Sequence, residues 1–148
     1  MQLTNYTDYS FRTLIALGTV APDKVTIAEI SSAYDISLNH LLKVVQRLSA
    51  LGYVETLRGK AGGVRLACDP ALLRLGDVVR NLEPEIGLVG CLRAADAPCA
   101  IAPVCRLKGI LADATDGFLR DLDRYTLADL LVPKPRLQRL LKLGNAPA

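Results

Sequence analysis

The chain has 148 residues, the size of one ordinary domain with a short extension. Its hydrophobic fraction of 51% and charged fraction of 22% allow a buried core and exclude a disordered polypeptide. The net charge is only +3, but the basic residues are unevenly distributed. Residues 37–66 contain five basic side chains against a single acid, Glu55, and such a local excess is typical of a surface that faces phosphates.

The first residues predict neither a secretion signal nor a membrane span, because Asp8 and Arg12 precede any apolar run. We therefore expect a cytoplasmic protein. In that reducing compartment the four cysteines are more readily metal ligands, redox thiols or core residues than a disulfide framework.

The N-terminal half predicts a mainly α fold, a winged helix-turn-helix DNA-binding domain. In such a domain the second helix of the motif enters the major groove and the hairpin touches the backbone or the minor groove. The predicted elements are a helix over 7–19, a short helix that opens with a Thr26–Glu29 capping box and stops near Asp35, a helix over 38–51, and strands over 53–57 and 64–67.

The helix over 38–51 shows the clearest amphipathic pattern, and we interpret it as the recognition helix. Its predicted buried stripe comprises Leu38, Leu41, Leu42, Val45, Leu48 and Leu51. The residues predicted to contact DNA are Ser37, Asn39, His40 and Lys43 in the first turns, and Arg47, Arg58, Lys60 and Arg65 for phosphates. The glycine-rich hairpin tip is not a nucleotide-binding loop, since Ala61 stands where a Ser or Thr must hold magnesium.

The rest of the chain predicts a helix over 72–82, a cysteine-containing loop and a long helix to about residue 125. That long helix carries a heptad-like apolar stripe, which favours pairing with a second copy of the chain. The stripe comprises Leu107, Leu111, Ala114, Phe118 and Leu122. We divide the chain into a DNA-binding domain (1–82), a cluster-binding loop (83–106), a dimerisation helix (107–132) and a flexible basic tail (133–148).

Three cysteines in the loop, Cys91, Cys99 and Cys105, have the spacing C-x7-C-x5-C. Thiolates on a flexible backbone can converge on one soft metal centre. Iron–sulfur chemistry is favoured over structural zinc, because zinc sites use four ligands in close cysteine pairs. A thiol switch that forms a disulfide would use the same residues. Cys68 is interpreted as a core residue.

The residues do not predict an enzyme. The single histidine, His40, lies on the recognition helix, and no serine, aspartate or carboxylate cluster suggests catalysis. A small iron–sulfur electron carrier and a zinc-stabilised structural regulator remain as alternatives from other classes.

Residues 1–132 resemble the iron–sulfur winged-helix transcriptional repressors, in particular their nitric-oxide-sensitive branch. Thr7-Asp8-Tyr9 and Arg12 carry part of this resemblance. The other matching stretches are LT (3–4), VTIAEI (25–30), NHL (39–41) with KVV (43–45), LGYVET (51–56), RG (58–59) with GGVRL (62–66), LGDVVR (75–80), and IAP (101–103) with CRL (105–107).

The resemblance implies a homodimer whose long helices cross and which binds operator DNA. It implies one iron–sulfur cluster per subunit, of the two-iron or four-iron type, held by Cys91, Cys99 and Cys105. In this branch the remaining ligand can be an aspartate early in the first helix of the other subunit, and Asp8 matches that position. Nitric oxide would damage the cluster, the repressor would leave its operator, and genes for nitric oxide detoxification would be expressed.

Two related branches are alternatives to this resemblance. Regulators of cluster assembly have a histidine three residues after the last cysteine, where this chain has Lys108. Iron-responsive regulators share similar cysteine spacing but differ around Thr7-Asp8-Tyr9, and they remain the nearest alternative.

Overall fold

A computed structural model gives the fold of residues 2–59, 62–83, 86–93 and 99–143. Within these ranges the chain is mainly α-helical with one two-stranded sheet, as the sequence predicts. No helix in these ranges has the length and apolar character that crossing a membrane requires. The helices are α1 (Asn5–Val20), α2 (Ile27–Tyr34), α3 (Leu38–Ala50), α4 (Leu75–Leu82), α5 (Gly90–Arg93), α6 (Arg106–Leu122), α7 (Leu127–Leu130) and α8 (Lys134–Leu141), and the strands are β1 (Val54–Leu57) and β2 (Gly63–Leu66).

Helix α1 lies at the centre of the core, where Leu14 and Leu17 are fully buried. Its buried hydroxyls on Ser10, Thr13 and Thr19 each donate to the carbonyl oxygen four residues earlier, at 2.7–2.8 Å. These three buried hydroxyls therefore find their partners within the helix itself. This leaves its surface free to pack against α2, α3, α4, α7 and α8.

The predicted capping box at the start of α2 is confirmed. The Thr26 hydroxyl accepts from the Glu29 backbone N–H at 3.2 Å, and the Glu29 carboxylate accepts from the Thr26 backbone N–H at 2.7 Å. The helix ends at Asp35, whose φ of 52° is left-handed. The chain then reverses so that α3 packs on α2 as the second helix of a helix-turn-helix.

The predicted apolar stripe of α3 is partly wrong. Of the stripe within α3, Leu41, Val45 and Leu48 are buried as expected, but Leu38 and Leu42 are exposed, and Val44 is buried in their place. The buried face has rotated by part of a turn, because α3 packs on α1 and β1 as well as on α2. Ser37 precedes the helix, but within the described part of the chain its hydroxyl caps no helix N–H.

Strands β1 and β2 form the predicted wing as an antiparallel hairpin, with Glu55 opposite Arg65. Val25 and Val64 exchange two backbone hydrogen bonds, at 3.0 and 2.7 Å, and so attach the segment before α2 to the wing. At the tip, Gly59 adopts a φ of 99°, which L side chains rarely adopt. Lys60, a predicted phosphate contact, lies outside the described residues.

Helix α4 begins at Leu75, three residues later than the predicted helix. The residues before it form a turn, in which the Asp69 carboxylate accepts from the Ala71 backbone N–H at 2.9 Å. Leu75 itself donates to the carbonyl oxygen of Tyr125 at 3.0 Å. The start of α4 is therefore held beside the chain that follows α6.

The predicted loop and dimerisation segments contain more elements than expected. Cys91 lies within the one-turn helix α5, and a 3-10 turn (Ala102–Val104) precedes α6. The predicted dimerisation unit 107–132 is divided, because α6 ends at Leu122 and α7 starts after a second capping box, formed by Thr126 and Asp129. Helix α7 packs on α1, so the unit is not one continuous helix.

The prediction of a flexible tail from residue 133 is wrong for residues 134–143. Helix α8 packs on α1, where Lys134 Nζ donates to Ala21 O and Gln138 Nε2 donates to Thr19 O, both at 3.1 Å. Leu143 is only 6% exposed and belongs to the core. Pro133, Pro135 and the four basic residues that follow Pro133 favoured a loosely ordered tail in the sequence, although the core contains part of this helix. Residues 144–148 lie outside the described ranges.

The leucines of this C-terminal segment provide a test of its packing. We expect Leu143→Ala to lower the free energy of unfolding by about 2–5 kcal/mol, since it removes a buried side chain and leaves a cavity. Leu140→Ala is the matched control: this leucine is 69% exposed, and we expect a change below about 0.5 kcal/mol. Chemical denaturation of both variants measures the difference. Equally small effects of the two substitutions would show that this segment is a flexible tail that does not pack in the core.

Candidate functional site

The exposed face of α3 presents several of the predicted DNA-contacting residues. Asn39 and Lys43 are exposed, and Ser37 is exposed at the helix start. None of the 13 residues of α3 is acidic. This face therefore combines hydrogen-bonding and positively charged groups without a carboxylate that would repel a phosphate backbone.

His40 lies at the border between α3 and α1. Its ring is 6.0 Å from that of Tyr9, centroid to centroid, and tilted by 34°. One turn earlier on α1, the Tyr6 hydroxyl donates to the backbone carbonyl of Lys43 at 3.1 Å. These contacts join the N-terminal turns of α1 to the first half of the recognition helix.

Arg47, predicted to contact a phosphate, is engaged within the chain. Its Nη2 donates to the backbone carbonyl of Asn81 at 3.1 Å, and the Asn81 side-chain amide donates to the Tyr53 hydroxyl at 2.7 Å. Asn81 therefore connects the C-terminal half of α3 with the residue that precedes the wing. The sequence contains no signal for this contact, because 34 residues separate Arg47 from Asn81.

The wing places its basic residues differently. Arg58 is exposed at the hairpin tip, beside Gly59. Arg65 forms an ion pair with Glu55, which lies opposite it in the strand register. Both partners are half-exposed, so this pair contributes little to stability and leaves Arg65 available for exchange with a phosphate.

All four cysteines, each within the described ranges, are free thiols. Cys91 is half-buried in α5, Cys99 is exposed, and Cys105 is half-buried directly before α6. Helix α5 packs against α6, which brings the elements of Cys91 and Cys105 side by side. Among the described residues, however, no three His, Cys, Asp or Glu side chains are close enough to share a metal ion.

Asp8, the predicted fourth ligand, is paired with Arg12 one turn later on α1. The guanidinium contacts both carboxylate oxygens, at 3.2 and 2.8 Å, and it also lies 5.8 Å from the ring centre of Tyr34. The described part of one chain therefore does not bring Asp8 and the three cysteines together.

The donor chemistry of this segment nevertheless fits a soft metal group. Three free thiols lie within fifteen residues of chain, 91–105. Cys105 occupies the N-cap position of α6, a helix of 17 residues. Thiolates are the ligands that iron–sulfur clusters use.

Cys68 packs against the core as predicted, although it is half-buried like Cys91 and Cys105. Its thiol lies 3.7 Å from the backbone carbonyl of Tyr53, and the side chain packs against the hydrophobic core. Burial, and to a smaller extent the Asp69 carboxylate, raise the pKa of the Cys68 thiol. This thiol is therefore a poor ligand and a poor nucleophile.

Glu83 is a residue of the site that the sequence did not reveal. At the end of α4, its Oε1 accepts three hydrogen bonds, from the Thr4 N–H at 2.7 Å, the Thr4 hydroxyl at 2.8 Å and the Thr7 hydroxyl at 2.6 Å. Burial alone would raise the pKa of Glu83, but these bonds outweigh burial and hold the pKa below its ordinary value. Glu83 thus fixes the start of α1, and with it Asp8, to the residue where the cysteine segment begins.

Arg80 makes a second unpredicted connection, from α4 to the end of α6. It forms a two-pronged ion pair with Asp123, at 2.8 and 2.6 Å, and a further contact with Asp77 at 3.2 Å. Gly76 makes this approach possible, since a Cβ there would lie 1.9 Å from an Asp123 oxygen. The hydrogen bonds between Arg80 and Asp123 raise the pKa of Arg80 and lower that of Asp123.

Comparison with known sequences gives a consistent family. The chain matches the Rrf2 family, described as iron-dependent transcriptional regulators, over residues 3–133. It is 48% identical over 144 residues to the HTH-type transcriptional regulator NsrR of Bacillus subtilis, covering 97% of this chain and 99% of that protein. It is 49% identical over 143 residues to the NsrR of Geobacillus kaustophilus, covering 96% and 97% of the two chains. The predicted resemblance is confirmed.

Solved structures confirm the fold. CymR of B. subtilis, the global cysteine regulator, superposes with a TM-score of 0.69 at 24% identity, covering 88% of this chain and 95% of that one. The IscR of T. potens superposes with a TM-score of 0.66 at 22% identity, covering 88% and 86% of the two chains.

The lowered pKa of Glu83 predicts a pH-dependent contribution to stability. Because the folded chain favours the ionised carboxylate, this contribution is present above pH 4.5, the ordinary pKa of glutamate, and is lost as the pH falls through the lower folded value. We expect Glu83→Gln to unfold at lower denaturant concentration than the wild type at pH 7. The difference should shrink below pH 4.5. Paired denaturation curves from pH 7 to 3 measure it, and a constant difference would exclude a titrating carboxylate as the cause.

Proposed function

Because the chain belongs to the Rrf2 family of iron-dependent transcriptional regulators, we propose that it is a nitric-oxide-sensing repressor that acts in the cytoplasm. It binds operator DNA as a homodimer with one iron–sulfur cluster per subunit. Cys91, Cys99 and Cys105 hold each cluster, and Asp8 of the partner subunit supplies the remaining ligand. The cluster, when bound, supplies iron that is incompletely ligated by thiolate and so accessible to nitric oxide.

The observation that carries this proposal is the position of the three cysteines in the fold. They lie on the segment that connects α4, whose residues contact α1, α3 and α6, to α6 itself. Any group that ties these thiols together therefore constrains the approach of α6 to the DNA-binding elements. A cluster on this segment is a structural restraint in addition to a chemical sensor.

The exposed face of α6 supports a homodimer. Leu107 and Ala114 of the predicted stripe are exposed in the single chain, and Ile110 beside them is exposed as well. Apolar side chains repeated along a surface helix are typical of an interface, and a second copy covers such a stripe symmetrically. The other three residues of the stripe are half-buried and line its border with the fold.

Helix α4 connects that interface to the DNA-binding surface. Arg80 holds Asp123 at the end of α6, and the next residue, Asn81, accepts from Arg47 of the recognition helix. A rotation of α6 is therefore transmitted to α3 through two consecutive residues of one helix. In a dimer, half-sites recur every 34–36 Å or so along B-DNA, and a small rotation of the subunits moves one recognition helix out of its groove.

The family description as iron-dependent favours a second candidate, a regulator that responds to iron supply. Both candidates need the same cysteines and the same DNA face. They differ in the signal that removes the cluster, so one experiment separates them.

The test is anaerobic purification, followed by a visible spectrum and operator binding before and after a stoichiometric pulse of nitric oxide. Loss of the visible absorption together with the DNA complex supports the proposal. A coloured protein that keeps its DNA after nitric oxide and releases it on iron depletion is the iron-responsive regulator. A colourless zinc protein, or a coloured protein without specific DNA binding, would overturn both.

Cysteine variants test the assigned ligands. We expect Cys99→Ser to lose the visible absorption and to bind operator no better than the nitric-oxide-treated wild type, because the cluster loses a thiolate. Cys68→Ser is the matched control, since its thiol packs against the core, and it should keep both properties. Operator binding by Cys99→Ser with unchanged sensitivity to nitric oxide would contradict the mechanism.

Removal of the ion pair between α4 and α6 tests the connection. We expect Asp123→Asn to reduce the ratio of operator affinities measured before and after nitric oxide, because the coupling between sites, typically about 5- to 150-fold, passes through this contact. Asp121→Asn is the control. Asp121 is an exposed acid near the end of α6, and its ion pair with Arg124 is long, at 3.7 Å. Fluorescence anisotropy gives both ratios, and equal ratios for the two variants would place the coupling elsewhere.

A further inference from the structure

The exposed face of the recognition helix contains apolar residues that the proposed DNA contacts leave unexplained. Leu42 is 48% exposed, and it shares this face with Asn39 and Gln46, at the spacing i, i+3 and i+7. Leu38, one turn before Leu42, is also exposed. The sequence assigned both leucines to the buried stripe, and the structure places them outside.

Two of the predicted DNA-contacting residues of α3 are engaged with the rest of the fold, so the part of α3 that is free to meet DNA is centred closer to Leu42. His40 is in contact with Tyr9 of α1, and Arg47 donates to Asn81 of α4, so both border on the rest of the fold. Leu42 lies on the other side of the exposed face, three residues after Asn39 and four before Gln46, and it neighbours both. A helix inserted with this side toward DNA places Leu42 against the floor of the groove.

The major groove contains one apolar group on the base edges, the C5-methyl group of thymine. A leucine cannot accept or donate a hydrogen bond, so its favourable contact in the groove is with that methyl group. Electropositive surroundings favour DNA as the occupant over an apolar protein surface, since α3 carries Lys43 and no acid.

We propose that Leu42 is a specificity-determining residue that recognises thymine through its C5-methyl group, with Leu38 widening the apolar contact. This inference rests on the proposed function, since it assumes that α3 binds the operator. It assigns to the operator half-site a thymine whose methyl group lies against Leu42, in a position flanked by bases that Asn39 and Gln46 can reach.

The test uses DNA that differs by a single methyl group. Operators are first selected from random duplexes with the cluster-loaded wild-type protein under anaerobic conditions. Each thymine of the selected half-site is then replaced in turn by deoxyuridine, which lacks only the C5-methyl group. We expect one position at which this replacement weakens binding by the wild type about fourfold, the value of one buried methyl group.

A Leu42→Ala variant tests whether Leu42 is the partner of this methyl group. Leu42→Ala should bind the thymine operator more weakly and should show no additional loss with deoxyuridine at that position, because the methyl group has lost its partner. Leu72→Ala is the control, since Leu72 is 79% exposed and lies outside α3, and it should discriminate like the wild type. An unchanged melting temperature shows that Leu42→Ala is folded.

Three results would count against this inference, and they have different meanings. A protein that selects no sequence contradicts the proposed function as well. A protein that selects a sequence but discriminates against deoxyuridine at no position overturns only the inference. It is overturned equally if Leu42→Ala keeps the full discrimination, or if that variant changes the oligomeric state in sedimentation while its DNA binding stays the same.

Discussion

Helix α4 has to fill the core with one side and bind three other elements with the residues at its end. Its buried side contributes Val78 and Val79, both completely inaccessible. Arg80, Asn81 and Glu83 then contact α6, α3 and α1 in turn. These contacts come from neighbouring positions at the end of a helix of only eight residues. A displacement of α1, α3 or α6 that moves α4 therefore also changes the contacts of α4 with the other two helices.

In the proposed function, this constraint gives the cysteine segment between α4 and α6 a route to the DNA-binding elements. The individual polar contacts are weak, because their side chains are partly exposed and screened by water. Their effect is geometric, since a two-pronged ion pair and a carboxylate with three donors define orientation as well as distance. Gly76 serves the same geometry, because a side chain at this position would push Asp123 away from α4.

The basic residues divide into two groups by their surroundings. Lys43 and Arg58 are exposed on the recognition helix and the wing, where the proposed function uses them for phosphate contacts. Arg47, Arg65 and Arg12 each have an intramolecular partner. The local positive charge of the sequence therefore overstates the number of cations that are free to meet DNA. The basic residues with intramolecular partners instead help to orient the elements that carry the exposed basic residues.

The sequence by itself determined the order of elements from α1 to β2, the capping box at Thr26, the wing and the family, because these depend on contacts between residues close in the chain or on short motifs. Only the tertiary structure decided which face of α3 is buried, that residues 134–141 form a helix, and that Glu83 meets Thr7. Each of these depends on contacts between distant segments, such as the 119 residues that separate Gln138 from Thr19. Hydrophobic periodicity specifies that a helix has a buried side, but the neighbours that cover it set its direction. For the same reason the cysteine spacing indicates ligands but does not specify how the three thiols are arranged in space, which depends on the packing of distant segments.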